Sequence, residues 1–266
     1  MNARKDFLES FVSNMNVFLL VCAGCVFIHP LWAGEITRTI KNVKPAIVGI
    51  GIFNKTRSPP LNFIGTGFAV GDGLNVITNA HVIPKIMDSE KKESIVIIAG
   101  RGETKELREA ILAAIDKEHD IAQLKISGLP LPVMELGDSG TVQEGQSLAF
   151  TGFPIGMVLG FFPVTHRGMI SSITPVVLPA LNSTKLDVKT IKQLKKSAYE
   201  VFQLDGTAYP GSSGSPLFDP ETGVVYGVIS MVFVNGLKEA ALSQPSGITY
   251  AIPANFVRDL LQRKQP

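Results

Sequence analysis

Residues 65–83 read GTGFAVGDGLNVITNAHVI. Two runs rich in β-branched and aromatic side chains, 66–70 and 76–78, flank the turn signal Asp72-Gly73. The second run leads into Thr78-Asn79-Ala80-His81. A pair of strands explains this pattern better than a helix, because β-branched side chains suit a pleated surface and Asp-Gly suits a turn. Working outward, further strand-sized runs lie at 46–53 (AIVGIGIF), 94–98, 121–126, 147–151, 168–173, 223–230 and 247–251. Ser127-Gly128, Gly137-Asp138 and Glu221-Thr222-Gly223 punctuate them. Many short strands with Gly- and Pro-rich turns predict an all-β body, and two small antiparallel barrels fit the length better than one sandwich.

Helical signals are few. Pro253 opens PANFVRDLLQR, with Val257, Leu260 and Leu261 at i, i+3 and i+4, which predicts one amphipathic carboxy-terminal helix. Residues 186–199 carry Lys189, Lys192, Lys195 and Lys196 and read as a solvated helix or loop surface.

Composition sets the outer bounds. Among 266 residues, 45% are apolar and 18% charged, which excludes a disordered chain. The formal charge of +2 gives no electrostatic reason to expect a nucleic-acid partner. Both cysteines, Cys22 and Cys25, fall in the first 34 residues, so the remainder holds no disulfide framework or cysteine zinc site. The four histidines lack ligand-like spacing, and neither a metal nor another cofactor is expected.

Residues 17–31, VFLLVCAGCVFIHPL, carry no formal charge. The run is shorter than the roughly 20 residues of a helical membrane span and suits the h-region of a signal peptide. Ala33 and Gly34 offer a cleavage point. Residues 1–34 are therefore expected to be a signal peptide or membrane anchor, and 35–266 an exported domain. Lipid attachment at Cys25 is a third option, opposed by the apolar run that continues past it.

Three separated segments carry chemistry. The first ends at His81. The second is DKEHDIAQLKI, 116–126, in which Asp120 enters an apolar strand. The third is DGTAYPGSSGSPLF, 205–218, a Gly- and Ser-rich loop running into a strand. A serine hydroxyl needs a base to become nucleophilic near neutral pH. Histidine suits that role, and a carboxylate can fix its tautomer and stabilise its cation. A tight glycine turn can present backbone N–H groups to a developing oxyanion. Taken singly, each segment reads equally well as ordinary structure: a flexible turn, a satisfied histidine, a capping aspartate. Their order, His then Asp then Ser, raises the chemical reading above the structural one.

The extended matches go further. GTGFAVGDGLNVITNAHVI, DIAQLKI, LPVMELGDSGTVQEGQSLAFTGFPIGM (131–157), HRGMISSI (166–173), QLDGTAYPGSSGSPLF (203–218) and YAIPANFV (250–257) together resemble a trypsin-like serine protease of chymotrypsin fold, nearest the HtrA/Deg group. The resemblance implies two six-stranded antiparallel β-barrels with a cleft between them. It implies His81 as base, Asp120 as its orienting carboxylate and Ser213 as nucleophile. The N–H groups of Gly211 and Ser213 would form the oxyanion hole. Thr207, six residues before the nucleophile, would floor the substrate pocket, with Ser230, Met231 and Val232 as its wall. No acidic residue is among them, so a strict Lys or Arg preference is not expected.

The departures from that pattern are local. Ser212 and Ser215 stand where the HtrA group usually has Asn and Gly. The sequence stops at Pro266 soon after the YAIPANFV match, so no PDZ module is expected within it. The implied function is an exported serine endopeptidase acting on polypeptides, in a bacterial periplasm or cell envelope, with protein quality control as its setting. The alternatives are a non-catalytic binding or chaperone-like protein on the same fold, and an esterase, which the missing Gly-x-Ser-x-Gly elbow opposes. His119 precedes Asp120, so the two side chains on a strand would face opposite ways. His166 reads as structural or substrate-contacting.

Overall fold

A computed structural model describes residues 32–84, 93–156, 160–176, 199–231 and 247–263. Residues 1–31, read as part of a signal peptide or anchor, Val232, and 186–198 of the lysine-rich stretch lie outside the described residues. The chain divides into two compact units, Met1–Thr37 and Arg38–Pro266. The first contributes only the start of helix α1, Trp32–Val43, to the described residues. That helix runs through Ala33 and Gly34, the positions read as a cleavage point. No helix among the described residues is long and apolar enough to cross a membrane.

The second unit holds twelve described strands. β1 to β6 are Ile47–Phe53, Leu61–Val70, Asn75–Thr78, Ser94–Ala99, Glu106–Asp116 and Ile121–Ile126. β7 to β12 are Ser147–Gly152, Val164–Pro175, Glu200–Asp205, Pro216–Phe218, Val225–Ser230 and Ile248–Pro253. They close two antiparallel barrels, β1-β2-β3-β6-β5-β4 and β10-β11-β12-β9-β8-β7. Helix α2, Ala254–Gln262, follows the last strand directly. The two expected barrels and the carboxy-terminal helix are both present.

Strand alternation assigns each side chain to one of three cores. Along β1, Val48, Ile50 and Ile52 fill the first barrel, while Ile47 turns outward into a core shared by both barrels. β3 and β6 repeat this: Val76 and Ala122 face the barrel interior, Ile77 and Ile121 the shared core. In the second barrel, Leu148 and Phe150 point inward and Ala149 joins the shared core. With both faces buried, these strands read as continuous apolar runs rather than alternating ones. Val257 and Leu260 of α2 also enter the shared core.

The connection between the barrels is pinned by α2. Asn255 donates through Nδ2 to Asp138 at 2.9 Å, and its backbone N–H donates to Ser139 Oγ at 3.1 Å. Arg258 donates to the carbonyls of Leu136 and Gly137. The LGDSG and PANFV motifs, over 100 residues apart in sequence, are thus two sides of one joint.

Candidate active site

β3 ends at Thr78, and the single helical turn Ala80–Val82 that follows carries His81. Asp120 precedes β6, which pairs directly with β3. The sheet register therefore brings the two residues together before any side chain chooses a rotamer. The Asp120 carbonyl accepts from Ala80 N at 3.1 Å and from Asn79 Nδ2 at 3.0 Å. Its carboxylate then takes three further donors. Oδ1 accepts from the His81 backbone N–H at 2.9 Å, and Oδ2 lies 2.8 Å from His81 Nδ1. Ser230 Oγ, from β11 of the second barrel, donates to the same Oδ2 at 2.9 Å. An ionised carboxylate only accepts, so Nδ1 is the protonated nitrogen and Nε2 is left as a base. The His81 side chain is 32% exposed, which leaves the imidazole reachable from solvent.

Ser213 lies in a turn built by its neighbours. Ser212 N donates to Tyr209 O at 2.9 Å, Ser215 N to Ser212 O at 3.0 Å, and Gly214 N to Ile229 O at 2.9 Å. Gly211 and Gly214 sit at φ +98° and +87°, where a side chain is strained. A Cβ on Gly214 would also collide with the Thr66 carbonyl. Pro210 O accepts from Ile155 N at 2.7 Å. Carbonyl and N–H point opposite ways across a trans peptide, so the Gly211 N–H faces away from the 153–156 turn.

Thr66 of β2 ties this turn to the first barrel. Its N–H donates to Ser213 O at 2.9 Å, and its hydroxyl donates to Gly211 O at 2.7 Å while accepting from Phe153 N at 3.1 Å. Next to it, Gly65 lies between the two halves of the site. A Cβ there would stand 2.9 Å from the Val82 methyls and 3.2 Å from the Ser213 carbonyl oxygen. The structure thus joins His81 to Asp120 directly and ties the Ser213 turn to β2 of the same barrel. Among the described residues, no hydrogen bond links the Ser213 hydroxyl to the imidazole. Catalytic hydrogen bonds are often long before substrate binds.

The remaining expected residues divide. Thr207 is half-buried and Met231 is buried. Ser230, read as a pocket wall, is fully buried with its hydroxyl turned to Asp120. On the far side of Gly211 a cleft of about 460 Å³ is lined by Leu61, Phe63, Ile155 and Pro210. His119 lies in the turn between β5 and β6 rather than on a strand, and its Nδ1 pairs with Asp116 at 2.9 Å. His166 stacks on Phe150, with centroids 5.0 Å apart, and its buried Nε2 has no partner. Burial pushes its pKa below the ordinary imidazole value. Sequence reading missed Thr66 and Asp116. A lone polar residue inside the apolar run GTGFAV was the available sign for Thr66.

Comparison with known proteins agrees with the fold. The model of the trypsin-like peptidase domain family matches residues 65–228. A protein of Halomonas elongata named "Probable periplasmic serine endoprotease DegP-like" is 30% identical over 198 residues, which cover 74% of this chain and 34% of the relative. Bovine "Serine protease HTRA2, mitochondrial" is 29% identical, covering 86% of this chain and 43% of the relative. Among solved structures, the HtrA-type protease AlgW with a tripeptide superposes with a TM-score of 0.59 at 22% identity, covering 85% of this chain and 62% of that one. A serine endoprotease from Yersinia pestis gives 0.58 at 21% identity, covering 86% and 65%. The chain spans about a third of the length of the first of these curated relatives.

Proposed function

Given that the chain belongs to the trypsin-like peptidase family, we propose that it is a serine endopeptidase acting on polypeptides through His81, Asp120 and Ser213. The observation that carries this reading is the Asp120 carboxylate, which meets the imidazole, the His81 backbone and Ser230 at once. That number of donors is a strong constraint on one imidazole orientation, with Nε2 free to take a proton.

In this mechanism Ser213 Oγ attacks the scissile carbonyl carbon as His81 Nε2 accepts the hydroxyl proton. The carbonyl electron pair moves onto oxygen, where the N–H groups of Gly211 and Ser213 stabilise it. Collapse breaks the C–N bond, and His81 gives its proton to the leaving amine. Water then attacks the acyl-enzyme, His81 takes the water proton, and Ser213 is released with that proton returned. Asp120 stays ionised throughout. Thr207 and Met231 would receive the side chain on the acyl side, and neither is acidic, which favours an uncharged one.

The names of the DegP-like relatives support a bacterial periplasmic setting. On that reading, residues 1–34 deliver or anchor the domain at the cell envelope, and its substrates are unfolded chains. A second reading, a non-catalytic binding protein on the same fold, draws on the missing Ser213–His81 hydrogen bond and on the buried, unpartnered hydroxyls of Ser212 and Ser215. A fluorophosphonate probe separates the two. The enzyme is labelled at Ser213, loses labelling in Ser213→Ala and reacts more slowly in His81→Ala. Folded protein that takes no label is a binding protein.

A further inference from the structure

Asp120 sits at φ +53°, in the left-handed region that disfavours any residue with a Cβ. A contact network must hold the 116–120 turn in that shape. Asp116 supplies the inner part of it. Its side chain is 5% exposed. Oδ1 accepts from the backbone N–H groups of Glu118 and His119, both at 3.1 Å. Oδ2 lies 2.9 Å from His119 Nδ1.

The outer part comes from α2 and the residue after it. Arg263 donates to the same Oδ2 of Asp116 at 2.7 Å. Phe256 stacks on the His119 ring, with centroids 3.9 Å apart and planes 15° from parallel. Tyr199 meets both rings edge-on, at 4.7 Å and 5.3 Å. Burial, with the charges of Asp120, Asp116 and Glu118, pushes the Tyr199 phenol up to about 12, so it stays neutral beside these carboxylates. Burial alone would raise the Asp116 carboxyl, but the His119 and Arg263 bonds outweigh it and hold it below the usual range.

We propose that Asp116, His119 and Arg263 are positioning residues through which helix α2 sets the Asp120 carboxylate against His81. On one side of Asp120, its carbonyl is fixed by Ala80 and Asn79. On the other, the turn is clamped by Asp116 and, through it, by α2. A shift of α2 is therefore passed to the carboxylate rather than absorbed by the turn. The catalytic consequence rests on the reading of His81, Asp120 and Ser213 as a triad; the positional claim does not.

The test uses the full chain with isotope-labelled histidine. The downfield proton resonance of His81 Nδ1, assigned by its loss in His81→Gln, reports the bond to Asp120 directly. Arg263 is 54% exposed, so Arg263→Ala leaves the core closed. In that variant the resonance is expected to move or broaden, and kcat on an unstructured peptide to fall roughly tenfold with KM unchanged. Asp116→Asn is expected to do more, and Arg263→Lys, which keeps a cation, to recover most of the loss. A wild-type resonance and kcat in both Arg263→Ala and Asp116→Asn would overturn the proposal, as would a lowered melting temperature with neither readout moved. Should Asp116→Asn not fold, Arg263→Ala decides alone. Wild-type protein that no fluorophosphonate labels, yet whose resonance moves in Arg263→Ala, would refute the triad reading while leaving the positional claim standing.

Discussion

At the scale of single residues, Ser230 and His166 illustrate how one atom's surroundings determine its role. Ser230 donates to a charged carboxylate that is itself largely buried. A hydrogen bond to a charged group contributes about 1.5–3 kcal/mol. Ser230→Ala should therefore lower kcat at least about tenfold at constant KM, because it weakens Asp120's hold on the imidazole rather than substrate binding. Steady-state kinetics checks this, and a change confined to KM would place Ser230 in the pocket instead. His166 has the opposite environment, with a buried nitrogen and no partner. Its folded pKa lies below the ordinary 6.5, so the unfolded chain binds the proton more readily. Its contribution is intact above about pH 6.5 and is lost as pH falls from there toward the folded value. His166→Phe should shrink the drop in urea midpoint between about pH 7.5 and 5.5; an unchanged drop would clear His166 of that role. His81, Asp120 and Ser213 were singled out as candidates by type, order and flanking motif, and the structure joins the first two. The Ser230 contact was not, because nothing local to β11 says which carboxylate its hydroxyl meets.

Among elements, β2 is hydrogen-bonded to the Ser213 turn and α2 packs into the shared core. Thr66→Val keeps the shape of the side chain but leaves Gly211 O and Phe153 N without their partner. An unsatisfied buried group costs about 1–3 kcal/mol. The variant should lose about 2 kcal/mol or more in urea unfolding, and fluorophosphonate labelling of the folded fraction should slow. Labelling at the wild-type rate would show that the nucleophile turn does not need β2. In α2, Leu260 is 2% exposed in the shared core, and Leu260→Ala should cost about 2–5 kcal/mol by thermal or urea denaturation. Nine of the strand-sized runs were read from apolar content and turn signals. The three others follow different rules. β5 carries Glu106, Arg108 and Glu109 and leaves Leu107, Ile111 and Leu112 exposed, so it has no clean apolar face. β9 places Val201, Phe202 and Leu204 in buried positions, yet no expected strand covered it. β10, the strand into which the 205–218 loop was expected to run, is three residues beginning with proline and pairs with β7 and β11.

For the whole molecule, the shared core makes one cooperative body of two barrels. Phe68 is fully buried there, beside Phe153 and Phe161 of the second barrel's loops and Val257 of α2. Phe68→Ala should remove about 3–5 kcal/mol, and circular dichroism and Ser213 labelling should be lost together along a urea titration. Two separated transitions would mean that the barrels hold together independently. The amino-acid sequence alone determined the all-strand body and the closing helix, since strand periodicity and turn chemistry are local properties of the chain, and its ordered motifs singled out His81, Asp120 and Ser213 as candidates. Only the tertiary structure decided that Ser230 donates to Asp120, that Thr66 donates to the Gly211 carbonyl and that Arg263 donates to Asp116. Those contacts join residues 110, 145 and 147 positions apart, and closure of two barrels onto a common core is what brings them within hydrogen-bond reach.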